Sequence, residues 1–378
     1  MRLALVLPSL AGGGMERISM HLIQEWVSRG VDVDLVVSRL AGPLVTEVPS
    51  SVPIFEVAGR HPSLFPFGLR RYLNTRRPTH ILSVGIDVVA LTLLAVKSVR
   101  ISIPTVVSFQ IQLSTDLALK RGLERVKARL AIWLLRRLAP VCRGMAAVSH
   151  GVAEDVKHTL AVPARQVHII YNPVITARTR ERLETNLQDC PVPAGTPWVI
   201  YVGRLVYPKG IDVLMTAFQN VAARGPAHLV LLGEGPLRDT IAMEVASKGL
   251  QDRVHLVGFR DNPLPWIREA DVLVLPSRNE GCPTVLIEAM ACGTQIVATD
   301  CPSGPAEILQ GGRYGQLVPV EDANALAEAL VNALESRFQV AVDDLQARAE
   351  DFTVERAATL YEGVLGIRVR GRVTEREG

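Results

Sequence analysis

Residues 272–298 read VLVLPSRNEGCPTVLIEAMACGTQIVA, a strand, a helix and a strand in succession. Residues 272–275 and 295–298 are short β-branched runs bounded by turn residues, the pattern of buried strands. Between them Pro283 suits the first position of a helix and Gly293 suits its stop. Parallel strands need a crossover of this kind, so the stretch predicts one βαβ unit of a parallel sheet.

The same alternation extends both ways. Upstream, strands are expected at 198–202, 228–232 and 254–256, with helices near 210–224 and 236–246; downstream, helices are expected near 323–336 and 340–361. Nearer the amino terminus come strands at 3–8, 31–38, 80–84, 104–109 and 144–148, with helices at 17–28 and 117–138. Between these two series, 176–197 is polar and Pro-bearing, as at a domain boundary. The chain of 378 residues also suits two domains, at about 100–200 residues each. The expected division is 1–173, a linker at 174–197, 198–350, and a carboxyl-terminal helix from 351 that returns to the first domain. RVRGRVTEREG, with few apolar groups, is expected to be a solvated tail.

Composition is that of a globular chain, 48% hydrophobic and 21% charged. The cysteines at 142, 190, 282, 292 and 301 lack the paired spacings of a zinc site or a secreted framework, which points to reduced thiols in the cytosol. The longest apolar stretch, 81–96, carries Asp87 and falls short of the roughly 20 residues a spanning helix needs. MRLALVLPSLAGG imitates a signal peptide but is broken by Pro8, and reads as a buried first strand. The net charge of +3 divides into +11 through Arg178 and −8 beyond it. Such a division gives the two halves different fields, unless it reflects only uneven solvated surfaces.

Ligands of doubly wound sheets bind beyond the carboxyl ends of strands, which directs attention to three loops. Gly12-Gly13-Gly14 leads into a helix and permits close approach to a phosphate, although a plain tight turn looks the same. It is neither a dinucleotide fingerprint, since Arg17 replaces the third glycine, nor a P-loop. Gly203–Gly210 offers Arg204 and Lys209, which can grip a diphosphate from two directions; exposed cations beside a turn would look similar. In the third loop, Thr284 and Val285 would turn free amides toward an anion. Glu280 precedes that helix end, and Glu288 lies about 7–8 Å along the helix from Pro283. Two unrelated surface acids are the plainer alternative.

These residues resemble the retaining glycosyltransferases of family 4, with Glu280 and Glu288 in an E-x7-E pattern set in E-G-x-P-x-x-x-x-E-A-M-A-x-G. Further matches run in order over about residues 3–320: Glu16 after the glycine loop, Ala147-Val148-Ser149, Ile170-Tyr171-Asn172-Pro173, Leu232-Gly233-Glu234-Gly235-Pro236 and Val257-Gly258-Phe259. The resemblance implies the GT-B fold, two doubly wound Rossmann-like α/β domains facing each other across a cleft. It implies that Arg204 and Lys209 hold a nucleotide diphosphate, helped by amides at Gly13, Gly14, Thr284 and Val285. Glu288 would bind the ribose and Val257, Gly258 and Phe259 the base, while Glu280, Gly281 and Cys282 meet the donor sugar. No metal and no cofactor are implied. Many relatives have a histidine where this chain has Gln110, on the sugar or acceptor side; glutamine can hydrogen-bond there but cannot act as a general base.

The expected reaction is retaining transfer of a hexose or N-acetylhexosamine from a nucleotide-sugar donor, with UDP, to a lipid-linked or membrane-bound glycan. Residues 300–309 are similar to text in members that extend bacterial surface and lipid-linked oligosaccharides. A nucleotide-sugar epimerase is the alternative, with a dinucleotide-dependent oxidoreductase or a nonenzymatic membrane-binding module behind it. No nucleic-acid partner is expected. In the helix at 117–138, Leu119, Leu123, Val126, Leu130 and Trp133 recur at helical steps beside Arg121, Arg125, Arg129 and Arg136. That stripe is expected to meet an anionic membrane at the cytoplasmic face; alternatively the apolar residues cover the sheet.

Overall fold

The computed structural model describes residues 1–59, 61–99 and 101–368, so that 369–378, within the expected tail, lie outside the described residues. The chain divides into two units, Met1–Pro173 with Val354–Gly378, and Val174–Thr353.

The first unit is built on strands β1 (Arg2–Leu7), β2 (Asp32–Val37), β3 (Ile54–Glu56), β4 (His80–Val84), β5 (Thr105–Phe109), β6 (Gly144–Ala147) and β7 (Val167–Ile169). They pair in parallel in the order β3-β2-β1-β4-β5-β6-β7. Strand β5 is buried throughout and β1 nearly so, because helices cover both faces; this is why β1 reads as a continuous apolar run after Arg2 and β5 carries only small hydroxyl residues among its apolar ones. The order reverses between β1 and β4, the place where a doubly wound sheet opens a crevice. The first-unit helices are α1 (Gly14–Ser28), α2 (Phe65–Arg76), α3 (Ile86–Ser98), α4 (Leu113–Leu119), α5 (Gly122–Leu138) and α6 (His150–Leu160).

The helix expected at 117–138 is therefore two. Lys120 and Arg121 are extended and Gly122 has φ +53°, a turn that an all-residue helical pattern does not announce. Helix α5 buries Ala128, Ile132, Leu135 and Leu138. The apolar residues read from the sequence as one face point outward instead, so they do not cover the sheet.

The second unit begins with α7 (Ala177–Leu183), inside the segment expected as a linker. Polar residues hold it: Thr176 Oγ1 accepts from the Thr179 amide at 3.0 Å, and Arg182 pairs with Asp261 at 2.6 Å. Its strands are β8 (Trp198–Val202), β9 (His228–Leu232), β10 (Val254–Gly258), β11 (Val272–Leu275), β12 (Gln295–Thr299) and β13 (Gln316–Val318). They form a parallel sheet in the order β10-β9-β8-β11-β12-β13. Around it lie α8 (Ile211–Ala222), α9 (Arg238–Ser247), α10 (Leu264–Glu269), α11 (Thr284–Cys292), α12 (Pro305–Ile308), α13 (Ala323–Leu334) and α14 (Val342–Ala349).

The helix expected at 340–361 is also broken. A 3-10 turn at Glu350–Phe352 and an extended Thr353 separate α14 from α15 (Val354–Leu365), which belongs to the first unit. There Tyr361 meets Trp26 of α1 edge-on at 6.2 Å, and Arg29 pairs with Glu362 at 2.9 Å. Among the described residues no helix is long and apolar enough to cross a membrane.

Candidate active site

In the second unit, the loops after β8 and β11 are joined side by side. Gly210 has φ +65°, and a Cβ on it would lie 2.0 Å from the Pro276 carbonyl oxygen, so glycine alone permits this approach. The Arg278 amide donates to the Pro208 carbonyl at 2.9 Å, closing the same seam. Across it Lys209 Nζ donates to Glu280 Oε1 at 2.6 Å. Ser277, fully buried, donates its Oγ to that same oxygen at 2.6 Å, and its carbonyl accepts from Thr299 Oγ1 of β12. The Glu280 side chain is only 9% exposed, a degree of burial that a carboxylate tolerates when paired and hydrogen-bonded.

Arg278 locks this arrangement from behind. Its guanidinium donates to the Tyr207 carbonyl at 2.7 Å and to both oxygens of Asp212 at 2.8 and 2.7 Å, pairs with Glu321, and lies over the Tyr207 ring at 4.0 Å. Hydrogen bonding from Arg278 holds the Asp212 carboxyl below its ordinary range. Buried Tyr201 supports the neighbouring turn, donating its hydroxyl to the Arg204 carbonyl at 2.9 Å. Burial, with the charge of Glu280 second, raises its phenol above the usual tyrosine range and keeps it a donor. The Arg204 side chain itself is exposed.

Helix α11 starts one residue later than the sequence suggested. Pro283 is its cap, extended with ψ 102°, and Thr284 and Val285 open the first turn, where amides have no intrahelical partner. Ser303 Oγ donates to the Gly281 carbonyl at 3.2 Å, and Gly304, at φ +96°, leaves no room for a Cβ beside Pro283. Gly281 and Cys282 are thereby buried in front of the helix, and Glu288 sits half-buried along it. Val257 and Gly258 end β10, whose Gly258 carbonyl accepts from the Gly233 amide at 2.9 Å; Phe259 beyond them is 60% exposed. The Glu234 carbonyl accepts from the Leu205 amide at 2.9 Å, so the loops after β8, β9 and β10 form one continuous rim.

The remaining sequence candidates belong to the first unit. Helix α1 starts at Gly14, not Arg17, with Gly13 as its cap; both glycines are exposed, and a Cβ on Gly13 would lie 2.7 Å from Glu16 Oε2. Gln110 follows β5 and donates its Nε2 to Ser108 Oγ at 3.1 Å, which in turn lies 3.0 Å from the Tyr361 hydroxyl. Burial pushes Tyr361 up to about 12. Among the described residues no cluster of three or more His, Cys, Asp or Glu could hold a metal.

Of the predicted residues, the second-unit loops bring together Lys209, Glu280, Gly281, Cys282, Thr284 and Val285, with Arg204 on the adjoining turn. Sequence reasoning passed over Ser277, Arg278, Asp212 and Tyr201. Arg278 and Asp212 meet 66 positions apart and Tyr201 reaches a backbone carbonyl, while Ser277 meets Glu280 three residues on, at a spacing that many loop residues share. A paired lysine, an exposed arginine, first-turn amides and a partnered carboxylate on one rim form an arrangement suited to an anion carrying hydroxyl groups.

Residues 12–178 match the family model described as Glycosyltransferase Family 4, and residues 196–336 match that described as Glycosyl transferases group 1. The chain is 29% identical over 187 residues to the N-acetylgalactosamine-N,N'-diacetylbacillosaminyl-diphospho-undecaprenol 4-alpha-N-acetylgalactosaminyltransferase of Campylobacter jejuni, covering 50% of this chain and 49% of that protein. It is 32% identical over 170 residues to the lipopolysaccharide core biosynthesis glycosyltransferase LpsE of Rhizobium meliloti, covering 44% and 47%. The chain thus spans about half the length of these curated relatives. Among solved structures, Anabaena Alr3699/HepE in complex with UDP superposes with a TM-score of 0.78 at 18% identity, covering 97% of this chain and 100% of that one.

Proposed function

We propose, from the premise that both halves of this chain are glycosyltransferase domains of the GT-B type, that the protein transfers a hexose or N-acetylhexosamine from a nucleotide-diphosphate sugar to a lipid-linked or membrane-bound glycan. The observation that carries this reading is the 2.6 Å pair of Lys209 and Glu280 in front of the first turn of α11. UDP is the proposed nucleotide, supported by the UDP complex of the Anabaena structure. The diphospho-undecaprenol in the name of the Campylobacter relative supports the lipid-linked acceptor.

In this reading Arg204 and Lys209, with the amides of Thr284, Val285, Gly13 and Gly14, meet the diphosphate and the charge that grows on it as the glycosidic bond breaks. Preorganised donors of this kind cost no reorganisation during reaction. Glu280, held by Lys209 and Ser277, meets the sugar hydroxyls with Gly281 and Cys282, while Glu288 binds the ribose and Val257, Gly258 and Phe259 border the base. Transfer retains anomeric configuration, with the leaving phosphate accepting the acceptor's proton on the same face. Gln110, which cannot take a proton, hydrogen-bonds the sugar or the acceptor. The cations replace a metal, and the enzyme works at the cytoplasmic face of the membrane.

The test is turnover of UDP-hexoses and UDP-N-acetylhexosamines with a polyprenyl-diphosphate glycan, the product's anomeric configuration being read by NMR. A product with the donor's configuration, formed in EDTA, is expected. Donor interconversion without acceptor would indicate an epimerase instead, and an inverted product would overturn the mechanism.

A further inference from the structure

Helix α5 has two apolar faces, and the first unit covers one. Ala128, Ile132, Leu135 and Leu138 are buried where α5 packs against α3, α4 and α6. Leu123, Val126, Leu130 and Trp133 recur at the same three- and four-residue steps, yet are 69, 61, 62 and 53% exposed. At about 100° per residue this second set falls on the opposite side of the helix, as one patch over three turns. Exposed Leu119 at the end of α4 stands next to it in sequence. Large apolar patches left to water mark interaction sites.

The surrounding charge identifies the partner. Arg125, Arg129 and Arg136 fall on one edge of the outward patch by the same rotation, and Arg137 lies 5.4 Å over the Trp133 ring. Arg125 and Arg129 are exposed and have no acidic partner among the described residues, whereas Lys127 on the other edge is matched by Glu124 at 2.8 Å. A second copy docking on this face would set the arginine row against its own copy if antiparallel and against the Lys127 edge if parallel, positive against positive in both cases. An anionic leaflet offers acyl chains to the leucines and phosphates to the arginines, and an interfacial tryptophan suits its boundary.

We infer that the outward face of α5 lies in the interface of an anionic bilayer, with Leu123, Val126, Leu130 and Trp133 among the acyl chains and Arg125 and Arg129 at the phosphates. Arg121, the cap of α5, extends the basic edge. This inference draws its biological sense from the membrane-bound acceptor proposed above, but its evidence is independent of the donor site. Insertion adds an apolar contribution that salt does not screen, so binding is weakened by salt without being abolished.

Trp133 provides a direct readout, because Trp26, Trp198 and Trp266 are buried at 0, 6 and 5% exposure. The full chain is mixed with vesicles of phosphatidylcholine, with and without phosphatidylglycerol, carrying acyl-brominated lipid as quencher. Fluorescence quenching is expected in the anionic vesicles and is lost in Trp133→Phe. Combined Leu123→Ser, Val126→Ser and Leu130→Ser abolishes the quenching and the salt-resistant part of the binding. Combined Arg125→Glu and Arg129→Glu weakens it by about tenfold or more at low salt, since each basic residue near anionic lipid contributes about 1 kcal/mol. Both variants keep UDP binding, measured on the same samples. Pelleting with vesicles without quenching would overturn the inference, as would a native dimer that the serine variant disperses without any vesicle binding. Quenching by a native protein that binds no UDP would leave this surface standing and remove the proposed donor.

Discussion

Lys209 Nζ and Glu280 Oε1 stand 2.6 Å apart, joining the loop after β8 to the loop before α11. Glu280 is almost enclosed there, and removing its partner leaves a buried carboxylate with Ser277 as its remaining donor on that oxygen. Lys209→Ala is therefore expected to destabilise the rim as well as remove a cation. Arg204→Ala removes an exposed cation alone. Each is expected to lower turnover by about 10²–10³, the effect of losing one preorganised donor, while EDTA changes nothing. Steady-state assays with and without chelator check this; activity abolished by EDTA and restored by magnesium or manganese would refute it.

The two carboxylates of the E-x7-E pair should separate kinetically. Glu288→Ala is expected to raise the donor KM with kcat little changed, since the proposed ribose contact would serve substrate and transition state alike. Glu280→Ala is expected to lower kcat instead. Matching changes in both constants for both variants would contradict the division.

Arg278 tests whether the rim must be rigid. Arg278→Lys keeps the charge but loses the two-pronged grip on Asp212 and the stacking on Tyr207. A fall of about ten- to a hundredfold in kcat/KM is expected, in line with about 1.5–3 kcal/mol for hydrogen bonds to charged groups. Native kinetics with a lowered melting temperature would make Arg278 a purely structural residue.

Away from the site, His228 Nδ1 lies 2.9 Å from His255 Nε2. Burial holds both below the ordinary histidine range, followed by the charge of Arg253 for His228 and by His228 for His255. On acidification the unfolded chain binds these protons first, so stability falls as pH drops through about 6.5 toward the lower folded values. Melting temperature between pH 7.5 and 5 is expected to fall less steeply in His255→Gln than in the native protein. Parallel slopes would show that the pair does not titrate in this window.

Strands were the most legible part of this chain. At 80–84, 198–202, 228–232 and 272–275 the predicted and observed bounds coincide, because strands buried on both faces are continuous apolar runs cut by turns. The three-residue strands β3, β7 and β13 were missed, being too short to show a period. Residues 117–138 read as one helix because Leu119 and Leu123, and Arg121 and Arg125, keep four-residue steps across the break, although Lys120 and Arg121 are extended and Gly122 is left-handed. Periodicity also found an apolar stripe on α5 but could not say whether it faces in or out, since Ala128, Ile132, Leu135 and Leu138 repeat at the same step.

In the candidate site, Arg204, Lys209 and Glu280 were legible because each lies in a loop that follows a strand. The support given by Arg278 was not: it reaches Asp212 and Glu321, 66 and 43 positions away, and only the order β8-β11-β12-β13 in the sheet brings the segments after β8, β11 and β13 together.

In the proposed function Arg204, Lys209 and Glu288 hold a nucleoside diphosphate. Thermal denaturation with UDP, GDP and ADP, on the native protein and on Lys209→Ala and Glu288→Ala, measures it directly. A ligand at 100 times its Kd stabilises by about 2.7 kcal/mol, and this account predicts such a shift with UDP, reduced in both variants. No shift with any of the three nucleotides, or an undiminished shift in the variants, would contradict it.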